Sequence, residues 1–170
     1  KAGYFKALRS FQATSGANHI AVKLIKKTIV GTINSSAGGD VTLTNGAKIT
    51  LPANAVVKAA GGSYSGTINV YAAYIDPTAS DIAQTIPGSF MADDKTGKRV
   101  TLTSYGMLAV ELESATGEKL QTATDKTATL TAPIPSSIVA SAPSTIPLWY
   151  VDEQTGLWKE EGTATKTGNT

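Results

Sequence analysis

Apolar and polar residues alternate with a period of two through most of the chain, the pattern of strands that bury one face. Ser65–Ile75 is rich in β-branched and aromatic residues (Thr67, Ile68, Val70, Tyr71, Tyr74, Ile75), and Asp76-Pro77 stops it. Asp40–Thr44 and Lys48–Leu51 flank Asn45-Gly46, a hairpin signal because a tight turn there needs positive φ at both central residues. Pro52 ends the second strand by removing an N–H. His19–Ile25 sets Ile20, Val22 and Leu24 against His19, Ala21 and Lys23, and Thr28–Ile33 continues it after a bend at Lys26-Lys27. Tyr4–Gln12 is extended in character. Val100–Thr103 and Met107–Glu113 are strands parted by Tyr105-Gly106, and Thr127–Thr131 alternates ahead of Pro133-Ile134-Pro135. Leu148–Val151 and Leu157–Glu160 form a last hairpin. Ser80–Ile86 predicts one helical turn, Pro135–Pro143 a Ser/Ala/Pro connector with a short turn, and Gly162–Thr170 a loose polar tail.

The pattern predicts an inward set of Ile49, Leu51, Ile68, Val70, Val110, Leu112 and Leu130, with Thr50, Asn69, Glu111 and Thr129 outside. Thr-Gly pairs at 96-97, 116-117 and 155-156 fall between strand-like runs, where a glycine in the left-handed region closes a short loop; a further pair is Thr167-Gly168. No helix follows these glycines, which argues against phosphate cradles. Many short strands with hairpin connections and no long amphipathic helix predict an all-β antiparallel sandwich. The expected organisation is lead-in strands or the tail of a preceding small β domain over 1–34, the sandwich over 35–135, and a connector, tryptophan hairpin and tail over 136–170.

Composition narrows the function. Of 170 residues 41% are hydrophobic and only 6% aromatic, so the core must be built of Val, Ile, Leu and Ala. Fifteen basic against thirteen acidic side chains give a net charge of +2, too balanced for nucleic acid. Cysteine is absent, which removes disulfides, thiolate catalysis and thiolate metal sites. No apolar run is long enough to span a membrane as a helix. The opening KAGYFKALRSF has no apolar signal region and reads as the inside of a strand, so the chain is expected to begin within a longer polypeptide. Lys1, Lys6, Arg9, Lys23, Lys26 and Lys27 precede the first acidic residue, Asp40: either a solvated face or a site for an anionic partner such as lipopolysaccharide or an acidic domain.

Candidate chemistry is sparse. His19 is the only histidine, and it stands in a strand-like run beside Lys23 without a partner set. Gly62-Ser63-Tyr64-Ser65-Gly66 has tyrosine where a nucleophile elbow has serine. Glu111 and Glu113 share one strand face, read as solvated. Asp93-Asp94, Asp152-Glu153 and Glu160-Glu161 lie in or beside loops, and none has calcium-loop spacing. The chain is therefore expected to have no enzymatic activity, cofactor or metal. The candidate site is Trp149, Tyr150 and Trp158: two indoles on one hairpin can stack on sugar rings, and the competing role is core packing, which large aromatics more often serve.

Three blocks carry a resemblance. Gly38-Gly39 through Ala55, with Gly46, Ile49, Leu51 and Pro52, resembles the start of the β-sandwich module of ankyrins, netrin receptors, tight-junction scaffolds and cartilage intermediate layer protein. Thr101–Pro135 resembles its later part, and Ile146–Gly162 the segment that follows it in cartilage intermediate layer protein and in large Bacteroidetes surface or secreted proteins. The resemblance implies a non-catalytic sandwich module of a larger extracellular or outer-cell-surface bacterial protein, joining domains and contacting neighbouring domains or another surface protein. Leu148–Glu160 and Asp76–Asp94 are the segments expected to face a neighbour. The alternatives are a carbohydrate-binding or adhesion module, with glycan as partner, and part of a self-processing protein. Some relatives of the module cleave themselves at His-Phe-Ser; here the only histidine precedes Ile20, so that site does not carry over, and a cleavage site would lie beyond Thr170.

Overall fold

The computed structural model describes all residues, Lys1–Thr170. Its elements in chain order are β1 (Ile29–Asn34), β2 (Gly39–Thr42), β3 (Lys48–Leu51), β4 (Val56–Lys58), β5 (Thr67–Ile75) and the short helix α1 (Ile82–Thr85). There follow β6 (Met91–Asp93), β7 (Arg99–Thr101), β8 (Met107–Ser114), β9 (Lys119–Thr122), β10 (Thr129–Thr131), β11 (Thr145–Asp152) and β12 (Leu157–Thr165). A single 3-10 turn, Val139–Ser141, lies in the Ser/Ala/Pro connector. The protein is all-β, as the alternation predicts.

Two compact units interleave along the chain. One is built from Lys26–Tyr74 and Leu108–Pro133, the other from Lys1–Ile25, Ile75–Met107 and Ile134–Thr170. The first is a β-sandwich. A five-stranded sheet, β1-β5-β8-β9-β4, and a three-stranded sheet, β10-β3-β2, send alternate residues into one core. Ile33, Val41, Ile49, Leu51, Val56, Ile68, Val70, Ala72, Leu112 and Leu120 fill it. Five of the seven residues expected inside are buried here, and Val110 packs against them. Leu130 is the exception. It pairs with Ile49 and so shares its face, but β10 is an edge strand and leaves it 49% exposed.

The β2–β3 hairpin forms between the expected strands, but with Thr42 opposite Lys48, where a two-residue Asn45-Gly46 turn would set Thr42 opposite Ile49. Leu43 and Ala47 close it: the Leu43 N–H donates to the Ala47 carbonyl at 2.8 Å and the Gly46 N–H to the Leu43 carbonyl at 2.9 Å. The loop thus has three residues, with Gly46 at φ 89° and Asn45 in the ordinary negative-φ half of the map. One left-handed residue suffices because the extra loop residue absorbs the twist that a two-residue turn takes at both positions.

The Thr-Gly loops share a device. Gly97, Gly117 and Gly156 have φ of 83°, 83° and 69°. In the first loop the Asp94 carboxylate accepts the Thr96 and Lys98 N–H groups, both at 2.9 Å. Ser114 Oγ does the same for Thr116 and Glu118, and Asp152 for Gln154. The Thr96 hydroxyl, then the Lys98 N–H, hold the Asp94 carboxyl below the usual aspartate value. A depressed folded-state pKa means stability that is present above the ordinary value of 3.8 and lost as pH falls through the folded one. Asp94→Ala should therefore melt below the parent chain at neutral pH, with the gap closing in acid; a gap that ignores pH would show that the charge contributes nothing.

The other unit holds the sheet β11-β12-β6-β7, in which β12 and β6 are parallel and the remaining pairs antiparallel. Ile86, Ala92 and Trp158 form its core. Its first segment departs from the sequence pattern. Tyr4–Gln12 forms no strand: it makes an isolated parallel bridge at Arg9 with Gly88, and Phe5 is buried. His19–Ile25 joins no ladder, and Ile20, Val22 and Leu24 are 45%, 43% and 38% exposed. Alternation sorts side chains to two faces, but only a second layer can bury one of them. The chain end differs too: β12 runs to Thr165, and the Ile134 N–H donates to the Asn169 carbonyl at 2.7 Å, so Gly162–Thr170 is not a loose tail.

Candidate functional site: the tryptophan hairpin and a charged sheet face

The hairpin of β11 and β12 positions the aromatic candidates. Trp149 and Tyr150 are neighbours in one strand and point to opposite sides. Trp158, 8% exposed, enters the core, and Trp149 and Val151 pack against the same cluster. Its indole N–H lies 2.9 Å from the Ser89 carbonyl and 3.1 Å from that of Pro87. Val151, not Trp149, stands directly opposite Trp158, because Trp149 pairs with Glu160 after a bulge at Leu148/Trp149. The two indoles are therefore diagonal neighbours on one face. Tyr150 is 48% exposed and is the open ring of the three.

The Asp76–Asp94 segment is engaged by its own chain. Beyond the two carbonyls facing Trp158, the Gln84 carbonyl accepts the Lys23 N–H at 2.8 Å and the Arg9 guanidinium at 2.6 Å, and Lys23 pairs with Asp81. Lys6 pairs with Glu153. Three of the six cations that precede Asp40 thus have acidic partners inside the chain, Lys27 being the third. His19 is exposed.

Lys27 builds a charged cluster that the sequence pattern does not show. On the five-stranded sheet its Nζ sits 2.5 Å from Glu111, 2.5 Å from Glu113 and 4.5 Å from the centre of the Tyr71 ring. The lysine side chain is 15% exposed and Glu113 16%, so this face is not simply solvated. The signal available in sequence was two glutamates on one strand face and a stretch of lysines without acids; nothing local joins them. Burial alone pulls the Lys27 ammonium down, but the hydrogen bonds and charges of Glu111 and Glu113 outweigh it and raise its pKa. Burial, then the Glu113 charge, raises Tyr71. One cation against two carboxylates and a ring is a clamp on the outer sheet face. Lys27→Ala should cost ~1.5–3 kcal/mol at neutral pH, as for hydrogen bonds to charged groups. A raised lysine contributes stability that is complete below the ordinary value of 10.5 and lost as pH rises through the folded value. Urea unfolding of both chains across alkaline pH should show their curves meeting; equal stability at neutral pH would show the clamp to be inert.

No group of three or more His, Cys, Asp or Glu side chains is arranged to hold a metal ion, and no helix is long and apolar enough to cross a membrane. No family model and no solved structure matches the chain. By sequence it is similar to cartilage intermediate layer protein 2 of Homo sapiens, 28% identical over 129 residues that cover 72% of this chain and 10% of that protein. It is also similar to the Mus musculus protein of the same name, 23% identical over 154 residues that cover 86% of this chain and 13% of that protein. The chain thus spans about a tenth of the length of the curated relatives it matches, to which it is distantly related.

Proposed function

We propose that the chain is a non-catalytic β-sandwich module, of the ankyrin/netrin-receptor type, within a larger extracellular or cell-surface protein, where it joins domains and contacts a protein partner. The observation that carries this reading is the match to cartilage intermediate layer protein 2, which takes in 72% of this chain but only 10% of that protein. A region of this size inside so long a polypeptide acts as a part among parts. The pairing of Lys6, Lys23 and Lys27 within the chain supports it, because those charges serve the fold and are not aimed at a substrate. His19 is exposed and no nucleophile–base set accompanies it in the sequence, which is in keeping with a non-catalytic role.

Two measurements test the reading. A reagent that cannot cross membranes should label the parent protein on intact cells or in the medium; exclusively cytosolic protein would refute the location. The purified chain should turn over no peptide, ester or glycoside substrate, and any turnover lost on His19→Ala would refute the non-catalytic role. Glycan binding is a second reading that draws on the exposed Tyr150. It requires saturable oligosaccharide binding by calorimetric titration, abolished by Tyr150→Ala.

A further inference from the structure

Asn45-Gly46 is the only Asn-Gly pair in the sequence, and both residues are exposed. Nothing lies within 4 Å of where a Gly46 Cβ would stand, so the loop tip is open to water and hydroxide. We propose that Asn45 is the chain's site of spontaneous deamidation, and that the β2–β3 hairpin holds the reaction back for as long as its loop stays closed.

The chemistry needs only water and base. The Gly46 nitrogen gives up its proton to hydroxide and attacks Cγ of Asn45, forming a five-membered imide. The Cγ–Nδ2 bond breaks and Nδ2 leaves as ammonia after taking a proton from water. A second water then opens the ring at either carbonyl. Opening at Cγ leaves aspartate, and opening at the main-chain carbonyl leaves isoaspartate, with the backbone running through the side-chain carbon.

The loop opposes each requirement. The Gly46 N–H is committed to the Leu43 carbonyl at 2.9 Å, which disfavours loss of its proton. Asn45 Oδ1 accepts the Ala47 N–H at 3.2 Å, which holds the side-chain amide toward β3 and away from the Gly46 nitrogen. The Leu43–Ala47 bond fixes the loop that both depend on. The two products then differ in kind. Aspartate keeps an oxygen for the Ala47 N–H. Isoaspartate adds a methylene to a three-residue loop and cannot keep the closing bonds, so the hairpin that protected the site is lost with the reaction.

The test ages the intact chain at mildly alkaline pH and body temperature, folded and in denaturing urea, and follows peptides by mass. The peptide containing residues 45 and 46 should gain the mass of replacing NH2 by OH and split into aspartyl and isoaspartyl forms, while Asn18, Asn34, Asn54, Asn69 and Asn169 stay intact. Conversion should be about tenfold or more faster in urea, because the folded chain reacts only through local opening. Asn45→Asp should melt close to the parent chain, and the separated isoaspartyl form clearly lower. Equal rates in the two states would overturn the gating, and an Asn45 that persists in urea would overturn the site.

Discussion

Ile68→Ala should destabilise the protein by about 2–5 kcal/mol, the range for removing a fully buried aliphatic side chain from a core that cannot collapse onto the space. Ile68 is 1% exposed, lies on β5 opposite Ile33, and is surrounded by residues of both sheets of the sandwich. Leu130→Ala is its control. The same alternation that placed Ile68 inside placed Leu130 inside, yet the edge position leaves Leu130 49% exposed, and its truncation should stay within about 0.5 kcal/mol. Urea unfolding separates the two as a shift of midpoint at constant slope. If Leu130→Ala costs as much as Ile68→Ala, the edge of the sandwich has been drawn in the wrong place.

Gly38→Ala is expected to be nearly as damaging, for a different reason. Gly38 has φ 70°, a conformation that costs a residue with a Cβ about 1–2 kcal/mol. An added Cβ would also lie 2.5 Å from the Leu51 carbonyl oxygen and 2.7 Å from the Ala53 nitrogen. These are main-chain atoms where Pro52 ends β3, and they cannot swing aside as a flexible side chain would. Gly46, at φ 89°, carries the conformational cost without the contact. Gly38→Ala should therefore exceed Gly46→Ala by at least ~1 kcal/mol, a typical size for strain forced on a packed site. Equal losses in thermal and urea unfolding would show the close approach to be without consequence. The first glycine of the Gly38-Gly39 pair is thus a packing requirement between β2's lead-in and the end of β3, and not merely a loose turn.

Features confined to a few consecutive residues were legible from sequence. The turn glycines 46, 97, 117 and 156 all have positive φ, and Pro52 and Asp76-Pro77 stop their strands, because φ preference and a missing N–H act within one or two residues. The longer strands were legible for a related reason, since four or more alternating positions define a period. β4 and β6, three residues each, were too short to show one, and β9, with Leu120 its only apolar position, was not read as a strand either. The hairpin loop at Asn45 was misread as two residues because its length depends on which strand positions close it, and Leu43 and Ala47 are chosen by the pairing of the strands. Of the candidate aromatic site, the opposite facing of Trp149 and Tyr150 followed from sequence. The burial of Trp158 against the Pro87 and Ser89 carbonyls, 71 and 69 residues away, did not.

What the sequence determined by itself was the all-β class, the positions of its turns and breaks, and which residues of each strand share a face; these follow from steric preferences and a two-residue period. Tertiary structure alone decided which faces are covered. Ile68 and Ile20 sit in equally alternating runs, but only the first meets a second sheet, and so only the first is buried. It also assigned Ile75–Met107 to one unit and the strands on either side to the other, and made β12 and β6 parallel neighbours. Lys27 found Glu111 and Glu113 across 84 and 86 residues. The free energy of burying a surface or pairing a charge belongs to two partners at once, and a pattern read along one strand describes only one of them.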